Sequence, residues 1–144
     1  MSYRLEEALA FVIHQTDMRL KTEFSRRLKH YELTAEQFGI LAKLWRRDGV
    51  SQRELADWLV KDRPNVTRLL EKMIKKGLVS KTADPEDRRI QRVYVTDKGR
   101  APEPELLDVV MQMRSDAYQG LSADEQAQLY GLLNRILGNL GAAL

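Results

Sequence analysis

From Leu5 through Leu9, Val12, Leu20 and Phe24 to Leu28, apolar side chains recur at mostly helical spacing, and no Gly or Pro interrupts residues 4 to 29. The spacing predicts one long helix. "HYEL" breaks it. Thr34 followed three residues later by Gln37 is a capping-box pattern, and Phe38, Ile40, Leu41, Leu44 and Trp45 fill a second helix ending near Asp48-Gly49. Ser51 and Glu54 repeat the capping pattern for a short third helix, "QRELADWLV". Asp62 predicts the N-cap of a fourth, because its carboxylate accepts a free backbone N–H and Pro64 sits in a first turn that needs no donor there. That helix is expected to stop at Gly77, a left-handed C-terminal cap. Residues 78–82 and 91–96 are short, β-favouring and partly alternating, which predicts a hairpin with "ADPEDRRI" at its tip. Pro102 and Pro104 delay the next helix to 103–119. Ser122 and Glu125 cap the last one, which carries Leu129, Leu133, Ile136 and Leu140.

The chain has 144 residues, near the usual size of one domain, and no internal repeat or low-complexity linker. Its balance of hydrophobic and charged residues is that of a soluble globular chain. No apolar run approaches the roughly 18 residues of a membrane span. The N-terminal segment has acidic residues ahead of its apolar part and no small-residue cleavage site after it, so it does not read as a signal peptide and a cytoplasmic location is expected. The absence of cysteine excludes disulfides, thiolate metal sites and cysteine-based redox sensing. The net charge of +3 is uneven: residues 1–49 sum to +2, residues 50–100 to +5 and residues 101–144 to −4. A positive middle third on a nearly balanced chain suggests a polyanion partner at one face.

A short helix, a tight turn, a second helix and a hairpin in immediate succession is the order of a winged helix-turn-helix. In such proteins the second helix enters the major groove of DNA with its N-terminal residues at base edges. Val66, Leu69, Leu70, Met73 and Ile74 fall on one face of the fourth helix to pack inward, leaving Arg63, Asn65, Thr67, Arg68 and Lys72 outward. Arg pairs bidentately with guanine and Asn with adenine, and Thr67 is suited to a phosphate or base edge. Lys72, Lys75 and Lys76 lie further from the helix start and suit phosphate or general field roles. A Lys/Arg-studded helix face alone is more often just a solvated surface. The hairpin tip adds Arg88 and Arg89, shaped for the narrow, negative minor groove, with Asp87 placed to hold the wing arginine.

At "LTAEQFGILAKL" (33–44), "SQRELADWL" (51–59), "DRPNVTRLLEKMIKKGLVSK" (62–81) and "DPEDRRIQRVYVTDKG" (84–99), the sequence resembles the MarR (multiple antibiotic resistance regulator) family of bacterial transcription factors. The wing pattern D-x-x-D-R-R followed by V-x-V-T-x-x-G is among the group's most specific signatures. The resemblance implies a mainly α fold: a winged helix-turn-helix with a small β-hairpin wing and long N- and C-terminal dimerisation helices. The whole chain, 1–144, is then a single unit, with residues 34–99 as the DNA-binding lobe and 1–31 and 103–144 as dimerisation helices. It further implies a homodimeric repressor or activator on a pseudo-palindromic double-stranded operator. Asn65, Thr67 and Arg68 would lie at the major groove, and Asp87 and Arg89 would form the wing pair, with the arginine in the minor groove.

Dimerisation has independent support, since both terminal helices carry apolar residues on more than one face, Leu132 and Leu137 among them. The alternative is that both helices complete a monomer core. The peroxide-sensing branch of the family uses a reactive cysteine that this chain lacks. Other relatives bind small aromatic or phenolic anions through their first two helices, which makes His14, Arg19, Trp45 and Arg46 candidate effector contacts. Each also has a purely structural reading: Trp45 in the core, Arg19 and Arg46 at the surface or ion-paired, His14 an ordinary helix residue. No catalytic constellation, cofactor loop or metal-ligand spacing occurs, so no enzyme, cofactor or metal is expected. The rival to a DNA-binding regulator is a winged-helix module that binds another protein; Arg68 and the wing arginines weigh against it.

Overall fold

The structure is a computed structural model that describes residues 2–141. The chain divides into two compact units with the boundary after Val110.

The first unit begins with a 3-10 turn at Leu5–Glu7 and α1 at Leu9–Arg27. Between them Ala8 is extended, at φ −73° and ψ 133°, so the single helix expected from residue 4 starts only at Leu9. Arg4 pairs with both Glu6 and Glu7, which closes the short turn on itself and leaves α1 with no side-chain cap. α2 (Ala35–Arg46) opens with the full capping box: Thr34 Oγ1 accepts from the Gln37 N–H at 3.2 Å, and Gln37 Oε1 accepts from the Thr34 N–H at 3.2 Å. A two-residue strand, β1 (Val50–Ser51), runs directly into α3 (Gln52–Leu59), where Ser51 caps the Glu54 N–H. The reciprocal half of that expected box is missing because the Glu54 carboxylate pairs with Arg47 instead. α4 (Arg63–Lys75) is capped by Asp62 at its start and by Lys76 at its end, and Gly77, the expected stop, follows at φ +75°.

The hairpin follows as β2 (Val79–Ala83) and β3 (Gln91–Val95), and β1 pairs with the other edge of β3. The sheet is therefore three-stranded and antiparallel, in the order β1-β3-β2, with Val50 opposite Val93 and Val79 opposite Val95. The second hairpin strand, expected to reach 96, stops one residue earlier because Thr96 caps a short α5 (Asp97–Arg100) that sequence periodicity did not announce. α6 (Glu103–Ala117) starts as expected but ends two residues early. Its first half belongs to this unit; its second half and α7 (Ala123–Asn139) form the second unit. Ser122 and Glu125 make a complete capping box for α7.

The core of the first unit joins Leu28 and Leu33 to Ile40, Leu41 and Leu44 of α2, Leu55 of α3, and Val66, Leu70 and Met73 of α4, closed by Val50, Val79, Val93 and Leu106. Each such aliphatic side chain contributes about 1.5–3 kcal/mol on burial. Leu69 packs half-buried against this cluster, but Ile74, expected inward, is 37% exposed. It sits at the edge of the helical stripe whose centre is Leu70 and Met73.

The tightest junction lies where the hairpin returns to the helices. Thr96 donates through Oγ1 to the Gly77 carbonyl at 2.5 Å and through its N–H to the Leu78 carbonyl at 3.0 Å. Gly99 packs so closely that a Cβ there would lie 2.2 Å from Leu78 O and 2.9 Å from Val95 Cγ2. Gly99→Ala is therefore expected to destabilise the protein by about 1–3 kcal/mol, the usual cost of overpacking, read as a lower urea midpoint at unchanged slope.

Candidate nucleic-acid interface

The interface is built on the start of α4. Asp62 Oδ1 accepts the Asn65 N–H at 2.8 Å, fixing the helix's first turn. With Val66, Leu70 and Met73 buried, Arg63, Asn65, Arg68 and Lys72 are exposed on the opposite side. Thr67, also expected outward, is half-buried and accepts a 2.5 Å hydrogen bond from Gln52 Nε2 at the start of α3. That bond ties the two helices of the helix-turn-helix together at the surface that carries the candidate readers.

The wing tip is a folded loop. Asp84 accepts the N–H groups of Glu86 and Asp87 at 2.8 and 3.1 Å, and its second oxygen accepts Arg92 Nε at 2.5 Å. Arg92 Nη1 in turn donates to the Gly49 carbonyl at 3.0 Å, next to β1. Asp87 grips Arg89 through both guanidinium Nε and Nη2, at 3.0 and 3.1 Å, and also accepts the Arg89 N–H. The Arg89 side chain is nevertheless 91% exposed, so its held edge fixes direction while the rest projects into solvent. Arg88 is exposed beside it.

Between the start of α4, the start of α3 and the wing lies a cleft of about 740 Å³, whose cationic lining is Arg53, Arg63, Arg89 and Arg92. A strand of duplex DNA between a major groove holding α4 and the adjacent minor groove holding the wing would run through such a cleft. Sequence patterning alone does not single out Gln52, Arg53 or Arg92. Arg53 had a helix-start position as its signal, but Arg92 lies in a strand whose register becomes meaningful only once β1 is paired with it.

The acidic partners respond electrostatically. The Asp84 carboxyl is held below its usual value of 3.8, first by the Arg92 side chain and then by the Glu86 and Asp87 N–H groups. Asp87 is lowered likewise by the Arg89 side chain and then by that residue's N–H. On α1, hydrogen bonds from Arg26 and then Arg27 lower Glu23 from 4.5 to about 2.

The four effector candidates do not converge. His14 and Arg19 share an open groove of about 590 Å³ along α1 with Met18 and Thr22. Trp45 is half-buried, packs edge-on to Phe38 and donates Nε1–H to the Gly99 carbonyl at 3.0 Å; Arg46 is exposed on α2. Among the described residues no cluster of three or more His, Asp or Glu could hold a metal, and no helix is long and apolar enough to cross a membrane.

A three-helix core, a short sheet and a cation-lined cleft between a capped helix and a braced hairpin define a winged helix-turn-helix DNA-binding protein. The MarR family model matches residues 33–91. The regulator MgrA of Staphylococcus aureus is 28% identical over 136 residues, 94% of this chain and 91% of that protein. A cysteine-to-serine mutant of MarR from E. coli, solved in complex with operator DNA, superposes with a TM-score of 0.82 at 28% identity, covering 90% of this chain and 93% of that one. A probable transcriptional regulator from Pseudomonas aeruginosa gives 0.82 and 28%, covering 92% and 99%. Over residues 33–91, and in its fold, the chain is similar to the MarR family of transcription regulators.

Protonating Asp84 removes the charge that faces Arg92 and weakens the carboxyl as acceptor for both turn amides. Because its folded value is depressed, the stabilisation is present above the unfolded value near 3.8 and is lost as pH falls through the lower folded value. Amide chemical shifts of Glu86 and Asp87 should be constant from about pH 7 to 5 and move together below about pH 4. In Asp84→Asn the component of that transition common to both amides should disappear, leaving only what each residue's own carboxyl contributes.

Proposed function

We propose that the protein is a sequence-specific regulator, acting as a repressor, that binds a pseudo-palindromic operator in double-stranded DNA as a homodimer in the cytoplasm. The observation that carries this reading is the cleft between α4 and the wing. Arg63 and Thr67 of α4 line it on one side and Asp87 and Arg89 of the wing on the other. Asn65, Arg68 and Lys72 are exposed on the same helix and Arg88 is exposed beside Arg89, which supports α4 in a major groove and the wing in the adjacent minor groove. Arg68 reads a guanine edge, Lys72 a phosphate, and Arg89, directed by Asp87, the minor groove. Residues 34–99 form the DNA-binding lobe in this reading, and 1–31 and 103–144 the dimerisation helices. No residue of α1 or α7 is buried, and Leu9, Val12, Leu129, Leu132 and Leu140 are exposed. Such apolar faces favour a second copy, and a two-fold protein suits a two-fold site. Release by a small aromatic or phenolic anion is assigned to the groove where Arg19 offers positive charge and His14 a ring face next to Met18, with Glu23 in the same lining. The anion lowers DNA affinity by its preference for a conformer in which the two recognition helices are no longer about 34 Å apart.

Selection of bound duplexes from a random pool should enrich an inverted repeat with half-sites about one turn apart, bound by two chains. Enrichment of nothing, with binding that vanishes as salt rises, would instead favour a protein-binding winged helix. Arg68→Ala should cost on the order of 1–3 kcal/mol and relax one position in each half-site. Arg89→Ala should weaken binding most where the flanking minor groove is narrow and A·T-rich, measured by titrating duplexes that differ only in their flanks.

A further inference from the structure

Three side chains at the start of α4 are linked in series. Asp62 Oδ2 accepts from the side-chain amide of Asn65 at 3.0 Å, while its Oδ1 holds the Asn65 N–H. Asn65 Oδ1 accepts from Arg68 Nη2. A carboxylate only accepts and a guanidinium only donates, so the Asn65 amide has one permitted orientation, its NH2 toward Asp62 and its oxygen toward Arg68. To read an adenine, an asparagine must turn both of these edges to N6 and N7 of a single base. Here the two edges are engaged by different neighbours along the helix. Arg68 keeps four of its five donors and has its guanidinium direction set before DNA arrives.

We propose that Asn65 is a positioning residue for Arg68, anchored by Asp62, and not itself a base reader. Asp62 thereby has two roles through its two oxygens: one caps α4, and the other fixes the direction of the arginine that selects the base. A preorganised donor loses less side-chain freedom on binding and tolerates less variation in where the guanine lies, so the relay adds both affinity and selectivity at the same base pair. The assignment rests on the reading that α4 enters the major groove.

The experiment is base-by-base competition binding on the operator enriched by the wild type, with Arg68→Ala, Asn65→Ala, the double variant and Asp62→Asn. The relay predicts that Asn65→Ala relaxes selectivity at the same base pair as Arg68→Ala, by on the order of 10-fold, with the double variant within about 2-fold of Arg68→Ala alone. Asp62→Asn retains an N-cap of similar quality, so its thermal midpoint should hold while selectivity falls at that same base pair. Loss at a different base pair, with effects that multiply in the double variant, would make Asn65 a direct reader and overturn the relay. So would an Asn65→Ala profile identical to wild type. If Arg68→Ala leaves every base preference unchanged while the wild type still enriches an operator, the major-groove role of Arg68 fails, and the relay with it. A wild type that enriches no sequence would overturn the operator reading itself, a result distinct from either.

Discussion

The Asp84 carboxylate ties the tip of the wing to β3 and, through Arg92, to the base of the helix-turn-helix. A hairpin tip of this length has backbone donors with no strand partner, and Asp84 accepts two of them, from Glu86 and Asp87. The same carboxylate holds Arg92, which donates onward to the Gly49 carbonyl beside β1. Since β1 leads straight into the Ser51 cap of α3, the loop at the far end of the wing is joined by three consecutive contacts to the base of the helix-turn-helix. In the proposed reading the wing and α4 meet adjacent grooves, and a single carboxylate at a turn would then constrain the spacing between them. A loop held only by backbone flexibility would present Arg89 in many directions, and each would cost entropy to select.

The helices were legible because their signals are local. Thr34, Ser51, Asp62 and Ser122 all cap the helices that follow them, and the apolar stripe of α4 is buried at Val66, Leu70 and Met73. What stayed hidden depends on distant partners. Two residues, Val50 and Ser51, cannot announce a strand; they become one because β3 has a free edge opposite. Thr96 looked like the end of a strand, and it is a cap for α5 only because Gly77 and Leu78 are there to accept its donors. The turn between α3 and α4 is a different failure. Val60 adopts φ 54° and ψ 47°, a left-handed conformation that costs a β-branched residue about 1–2 kcal/mol, and it is 89% exposed, so neither propensity nor burial marks it. The packing of Leu55 and Ala56 on one side and Val66 on the other holds the turn against its local preference.

For the interface, residue types were readable and their pairings mostly were not. Arg63, Arg68, Arg88 and Arg89 could be placed on exposed faces from spacing alone, and Asp87 beside Arg89 suggested the contact that forms. The Gln52–Thr67 bond, the Arg92 brace and the Asn65 relay join residues whose separation or side-chain direction a one-dimensional pattern does not specify. The four effector candidates are placed differently: Trp45 packs on Phe38 and donates to the Gly99 carbonyl, while His14 and Arg19 share a groove along α1.

A common rule separates the arginines that brace from those that keep donors for a ligand. A guanidinium has five donors along distinct edges, so an acceptor on one edge orients it without using it up. Arg92 is engaged at Nε by Asp84 and at Nη1 by Gly49, and its side chain is only 33% exposed, which leaves little of it for a ligand. Arg89 is held along its Nε and Nη2 edge by Asp87 and projects its Nη1 side outward; Arg68 is held through Nη2 alone. The acidic residues in this basic region therefore do more than lower its net charge. At long range Asp62, Asp84 and Asp87 subtract from the attraction to a polyanion, and salt screens that loss along with the attraction itself within about 8–10 Å. At contact range they decide where each cation points, and it is at contact range that one base is told from another.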